Sequence, residues 1–153
     1  MRKRGRTLGL NRPTWFIIWA AGMLLLHIAL PLVQLFGDVV AFLGAALICV
    51  SAGVVVWADQ LFSKVGASLK PSEMPHTLVT DGPYTRSRNP MYAGMVSILV
   101  GFALILGSLS PLIAAAAFGW FLQTRFISTE EDRLTRAFGN HYRDYASKVR
   151  RWI

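Results

Sequence analysis

The chain has 153 residues, of which 54% are hydrophobic and only 16% charged, and it carries a formal net charge of +8. The length allows one domain. A positive mean hydropathy, with apolar residues gathered in long blocks, excludes an ordinary water-soluble core and predicts an all-α, polytopic membrane protein.

In chain order, Met1 to Arg12 is a basic leader, and a long apolar run follows it. That run is longer than the apolar core of a cleaved signal and lacks a small-residue cleavage site, so it reads as retained. Four blocks approach the roughly 20 residues a helix needs to cross the hydrocarbon layer. They cover about 14–36, 39–62, 91–109 and 111–127. The links between the first and second blocks and between the third and fourth are very short. Phe36-Gly37-Asp38 and Gly107-Ser108-Leu109-Ser110-Pro111 carry turn and helix-start residues. Two helical hairpins are expected, with a polar region at 63–90 and another at 128–153.

With four crossings, all 16 Lys and Arg residues fall on one face. The positive-inside rule makes that face, and with it both termini, cytoplasmic. In a bacterial cell this is the inner membrane. The positive charge then reads as contact with anionic headgroups rather than with nucleic acid. Cys49 is alone and forms no internal disulfide. Three scattered histidines do not suggest a metal site.

The richest polar stretch is Asp81 to Gly94, packed directly against the third block. Pro90 suits a first helical position, with Asn89 as its N-cap. Tyr84 and Tyr92 fit either an interfacial aromatic belt or a ligand, and Gly94 eases helix packing. The tail opens with Ser128-Thr129-Glu130-Glu131-Asp132, where Ser128 and Glu131 have capping-box spacing. Leu134, Phe138 and Tyr142 follow at helical spacing, so a short amphipathic helix, a break near Gly139 and a second short helix are expected, lying in or against the membrane interface. Glu130 and Glu131 read equally as capping and pairing residues or as partners of a cationic ligand group. Arg125, in the last turn of the fourth block, reads as a snorkelling side chain or as a clamp on a carboxylate or phosphate.

Four separated segments together carry a resemblance. They are His76-Thr77-Leu78-Val79-Thr80-Asp81-Gly82-Pro83-Tyr84, Arg88-Asn89-Pro90-Met91-Tyr92-Ala93-Gly94, Glu130-Glu131 with Leu134, and Phe138-Gly139-Asn140-His141-Tyr142-Arg143-Asp144-Tyr145. Their order and spacing resemble the isoprenylcysteine carboxyl methyltransferase family, which is grouped with the phospholipid methyltransferases. The resemblance spans about 63–152. It implies an integral membrane enzyme that uses S-adenosyl-L-methionine without a Rossmann fold. By position it assigns cofactor binding to His76, Thr77, Leu78, Val79, Tyr84, Asn89, Pro90, Met91, Tyr92 and Glu130. The family's substrate arginine falls nearest to Arg125, one residue out of register, and Asn89 stands where the family usually has histidine.

The expected acceptor is a lipophilic small molecule or lipid-modified carboxylate that enters from the bilayer. A carboxylate needs no base. An amine does, and Glu131 is the candidate. The other readings are a phospholipid or amine N-methyltransferase, an NADPH-dependent membrane reductase using Arg86 and Arg88 on a 2′-phosphate, and a non-catalytic membrane scaffold.

Overall fold

The computed structural model describes residues 12–30, 32, 37–64 and 77–153. His76, one of the expected cofactor residues, lies outside them. All regular structure within them is helical. α1 spans Arg12–Ala29, α2 Asp38–Lys64, α3 Pro90–Leu106, α4 Leu109–Leu122, α5 Ser128–Phe138 and α6 Asn140–Lys148. A single 3-10 turn, Gly82–Thr85, precedes α3, and a π turn, Gln123–Ile127, joins α4 to α5.

α2, with 27 residues, is the one described helix both long and apolar enough to cross a bilayer alone. α1 and α3 are apolar but shorter. The helices turn large apolar side chains outward, among them Phe42, Val50 and Trp57 on α2, Ile17 and Leu25 on α1, and Trp120 on α4. Apolar surface on this scale suits a lipid environment rather than water.

α2 and α3 approach most closely, and small residues allow it. A Cβ on Gly44 would lie 2.6 Å from the Gly101 carbonyl oxygen, and one on Gly101 would lie 2.7 Å from the Gly44 carbonyl oxygen. A Cβ on Gly94 would run into the Val55 side chain. Ser51 and Ala58 are buried on the same side of α2. This is the packing expected of helices in lipid, where contact depends on close backbone approach more than on water exclusion.

α4 packs on the other side of α3, and α1 packs on α4. The α1–α4 contact is aromatic. The tilted rings of Trp15 and Phe121 lie 5.0 Å apart, and Trp19 meets Phe118 at 5.6 Å and Phe121 at 5.7 Å. The main core lies between these three helices, around Leu99, Ala103, Ala115, Phe118 and Leu122. At the end away from α5, the α3–α4 turn is buried. Gly107 takes φ 72°, and Ser108 Oγ shares a 2.7 Å hydrogen bond with His27 Nδ1 of α1.

Helix α1 ends at Ala29, and residues 31 and 33–36 of the first expected block lie outside the described residues. Two sequence expectations require correction. Asn89 does not cap α3 with its side chain, because its amide is bonded to the C-terminal tail. Ser128 does not open a capped helix, because the backbone stays helical from α4 through the π turn into α5. The wide turn leaves the Gln123 carbonyl to accept from both the Ser128 N–H and the Ser128 hydroxyl, the latter at 2.9 Å. The break at Gly139 is present, with φ 54°.

Candidate functional site

The start of α3, the π turn and the start of α5 converge on Tyr92, which is 4% exposed. Its ring lies 6.3 Å from that of Phe126 on the π turn, and its hydroxyl donates to Glu130 Oε1 at 3.0 Å. Tyr92 reaches this point because Pro90 starts the helix two residues earlier with no N–H to satisfy. Glu130 sits in the first turn of α5. The hydrogen bond therefore joins two segments that lie 38 residues apart in the sequence.

The 3-10 turn builds a second, smaller cluster. Val79 and Tyr84 are buried with Ala58 of α2, and Met91, Leu61 and Phe62 pack around them. Gly82, at φ 58°, lets the chain turn against the Trp57 ring, where a Cβ would sit 3.2 Å from the indole. The Tyr84 carbonyl accepts a 2.7 Å hydrogen bond from the Tyr145 hydroxyl of α6. Leu78 is half-buried and Thr77 exposed.

Two other expected site residues, Asn89 and Glu131, are engaged by groups outside the Tyr92–Glu130 contact. Asn89 Nδ2 donates to the Arg151 carbonyl oxygen at 3.1 Å. Glu131 is held by two guanidinium groups. Arg151 meets it side-on, Nε to Oε1 at 3.1 Å and Nη2 to Oε2 at 2.5 Å, and Arg88 Nη1 lies 3.2 Å from Oε1. Arg125 is exposed on the π turn and forms no hydrogen bond or ion pair among the described residues.

The end of the tail, residues 149–153, holds none of the site residues expected from the sequence. The chain leaves α6 through Val149, in extended conformation, and residues 150–152 run beside the loop before α3. Ser87 and Arg150 form a parallel bridge, with the Arg88 N–H donating to the Arg150 carbonyl at 2.9 Å. The Trp152 indole donates to Gln123 Oε1 at 2.8 Å. A shallow, mostly apolar groove of about 270 Å³ lies against this contact, lined by Val96, Ala116, Gly119, Trp120, Gln123 and Trp152. In sequence, Arg150 and Arg151 look like any basic terminal run, so no local pattern marks them.

Burial, and after it the neighbouring Glu131 carboxylate, raise the Tyr142 hydroxyl above its ordinary range, while Arg88 opposes them. The hydroxyl itself completes no well-aligned hydrogen bond, nor does Arg88 Nε. Hydrogen bonding to Glu131 raises the Arg151 guanidinium further. Burial, and then Tyr142, push Tyr145 up to about 12. A raised folded-state value means that the unfolded phenol ionises first. Its stabilising effect is therefore complete below the ordinary value of 10 and is lost as pH rises through about 12. Thermal melts of purified protein across this range should show a loss of stability that Tyr145→Phe reduces. An identical decline in both proteins would contradict this role for the Tyr145–Tyr84 contact.

The family model for phospholipid methyltransferases matches residues 39–141. The chain belongs to that family, and the matched region runs from α2 into the start of α6. It is 34% identical over 98 residues to the protein-S-isoprenylcysteine O-methyltransferase of Schizosaccharomyces pombe, covering 64% of this chain and 41% of that protein. It is 36% identical over 77 residues to protein-S-isoprenylcysteine O-methyltransferase B of Arabidopsis thaliana, covering 50% of this chain and 39% of that one. An uncharacterized protein of Haemophilus influenzae is 35% identical over 63 residues, 41% of this chain and 100% of that protein. The chain thus spans about two fifths of the length of the two named methyltransferases.

Proposed function

We propose that this chain is a membrane-embedded, S-adenosyl-L-methionine-dependent methyltransferase whose acceptor is a lipophilic carboxylate of the isoprenylcysteine type. The observation that carries the reading is the Tyr92–Glu130 hydrogen bond, which fixes an acidic side chain at the junction of α3, the π turn and α5 within the family-matched region. We also propose that α1 to α4 cross the membrane, with both termini on the cytoplasmic side, since all 16 basic residues then share one face.

The donor set suits the cofactor's amino-acid end. An oriented carboxylate, Glu130, matches a cationic amine, and charge-assisted contacts of this kind are strong. Val79, Tyr84 and Met91 supply an apolar and aromatic wall for an adenosine group. When bound, the cofactor supplies an electrophilic methyl on a sulfonium. The protein's part is to align the acceptor with that methyl and to exclude water.

Arg125 is assigned to orient the acceptor carboxylate. A π turn takes one residue more than an α turn and recurs at functional sites, so it accommodates the one-residue offset of Arg125 from the family's arginine. The groove between α3 and α4 would hold the acceptor's apolar chain. A carboxylate acceptor needs no proton removed. An amine would, and Glu131, the expected base, has both oxygens engaged by guanidinium groups. That favours O-methylation, with Glu131 in an anchoring role.

Equilibrium binding to detergent-solubilised protein tests the cofactor class. S-adenosylhomocysteine should bind saturably, and NADPH should not compete with it. NADPH binding without S-adenosylhomocysteine binding would favour the reductase reading. Binding of neither would favour a scaffold.

A further inference from the structure

Residues 150–152 make specific contacts with three different parts of the site. Asn89 and Arg88 in the loop before α3 bond the main chain of Arg151 and Arg150. Glu131 on α5 takes the Arg151 guanidinium. Gln123 on the π turn takes the Trp152 indole. We propose that this C-terminal strap is a positioning element of the methyltransferase site, in which Arg151 holds Glu130 in its working orientation by way of Glu131. The proposal rests on the assignment of Glu130 to the cofactor.

Glu130 and Glu131 are consecutive on the first turn of α5, so their side chains leave the helix about 100° apart. One is fastened to α3 through Tyr92. The other is fastened to the strap and to Arg88. Together the two contacts set both the rotation of α5 and its distance from the loop. The Arg151–Glu131 pair has the side-on, two-bond geometry that fixes orientation as well as distance, and Glu131 is only 12% exposed. The strap is in turn aligned by main-chain bonds that do not depend on side-chain identity. Asn89 serves this arrangement directly: its short amide reaches a tail carbonyl. In this chain, then, the residue at the family's histidine position belongs to the strap contact.

The test is a comparison of S-adenosylhomocysteine dissociation constants for the unsubstituted protein and for Arg151→Gln and Arg151→Lys, alongside cofactor KM and kcat. Arg151→Gln is expected to weaken binding about tenfold and to raise cofactor KM more than it lowers kcat, corresponding to about 1.4 kcal/mol. Arg151→Lys, which keeps the charge but loses the two-bond geometry, should fall between it and the unsubstituted protein. Should Arg151→Gln not fold, Arg151→Lys must still bind more weakly than the unsubstituted protein. A lower melting temperature with an unchanged dissociation constant in the folded variants would make the strap merely structural and overturn the proposal. Unsubstituted protein that binds no S-adenosylhomocysteine would overturn the functional reading, and the strap's role with it.

Discussion

Replacing Glu130 with glutamine is expected to weaken S-adenosylhomocysteine binding by roughly 10- to 100-fold. A hydrogen bond to a charged group contributes about 1.5–3 kcal/mol, and every 1.4 kcal/mol is about tenfold in affinity. Glutamine keeps the size of the side chain and can still accept from the Tyr92 hydroxyl, now 3.0 Å from Oε1. The substitution therefore removes the charge and leaves the α3–α5 contact in place. The melting temperature should change little while binding falls. Tyr92→Phe gives the complementary case, since it retains the charge and releases the carboxylate from its fixed orientation. It should weaken binding less than Glu130→Gln. Undiminished binding in both variants would remove Glu130 from the cofactor site.

The second large effect is on the fold. Gly101→Val should separate α2 from α3 and destabilise the protein by about 3 kcal/mol or more, at the upper end of overpacking costs. A Cβ there meets the Gly44 carbonyl at 2.7 Å and Ile48 Cγ1 at 2.6 Å. The carbonyl belongs to a helix backbone and cannot move without shifting α2. Gly119→Ala is the matched control on α4. Its Cβ would find Val96 at 3.7 Å, ordinary contact distance, so its stability should stay within about 0.5 kcal/mol of the parent. Thermal unfolding in detergent, followed by size-exclusion recovery, separates the two. Equal stability of Gly101→Val and the parent would show that α2 and α3 do not approach as closely as described.

Much of the helical architecture is legible in the sequence because its signals are local. Apolar blocks, the Gly37-Asp38 helix start and the Gly139 break need no knowledge of neighbours. The aromatic contact of α1 with α4 was not legible. Trp15 and Trp19 meet Phe118 and Phe121 from a helix far along the chain, and no local pattern pairs them. The capping box at Ser128 failed for a related reason. Its sequence is a good start signal, but the helix does not stop before it, and the hydroxyl bonds the Gln123 carbonyl instead.

Tyr92 and Glu130 are assigned to the cofactor by the family resemblance, and the structure brings the two side chains into contact. The partners of Asn89 and Glu131 were not identified. The tail partners lie 62 and 20 residues away, among basic letters that suggest only headgroup contact, and Glu131 also meets Arg88 in the loop before α3. The Asn89 bond goes to a main-chain carbonyl, which leaves no residue-type pattern, and Arg151 is one of several basic residues that could have paired with Glu131.

The central claim, methyl transfer to a lipophilic carboxylate, is tested most directly with S-adenosylmethionine labelled in its methyl group. Membranes containing this chain would be incubated with an S-prenylated cysteine derivative and the lipid fraction treated with base. The account predicts transferred label that base releases as methanol, the mark of a methyl ester, and that Glu130→Gln largely abolishes. Label that resists base, as on nitrogen or sulfur, or no transfer by a protein that binds the cofactor, would contradict it.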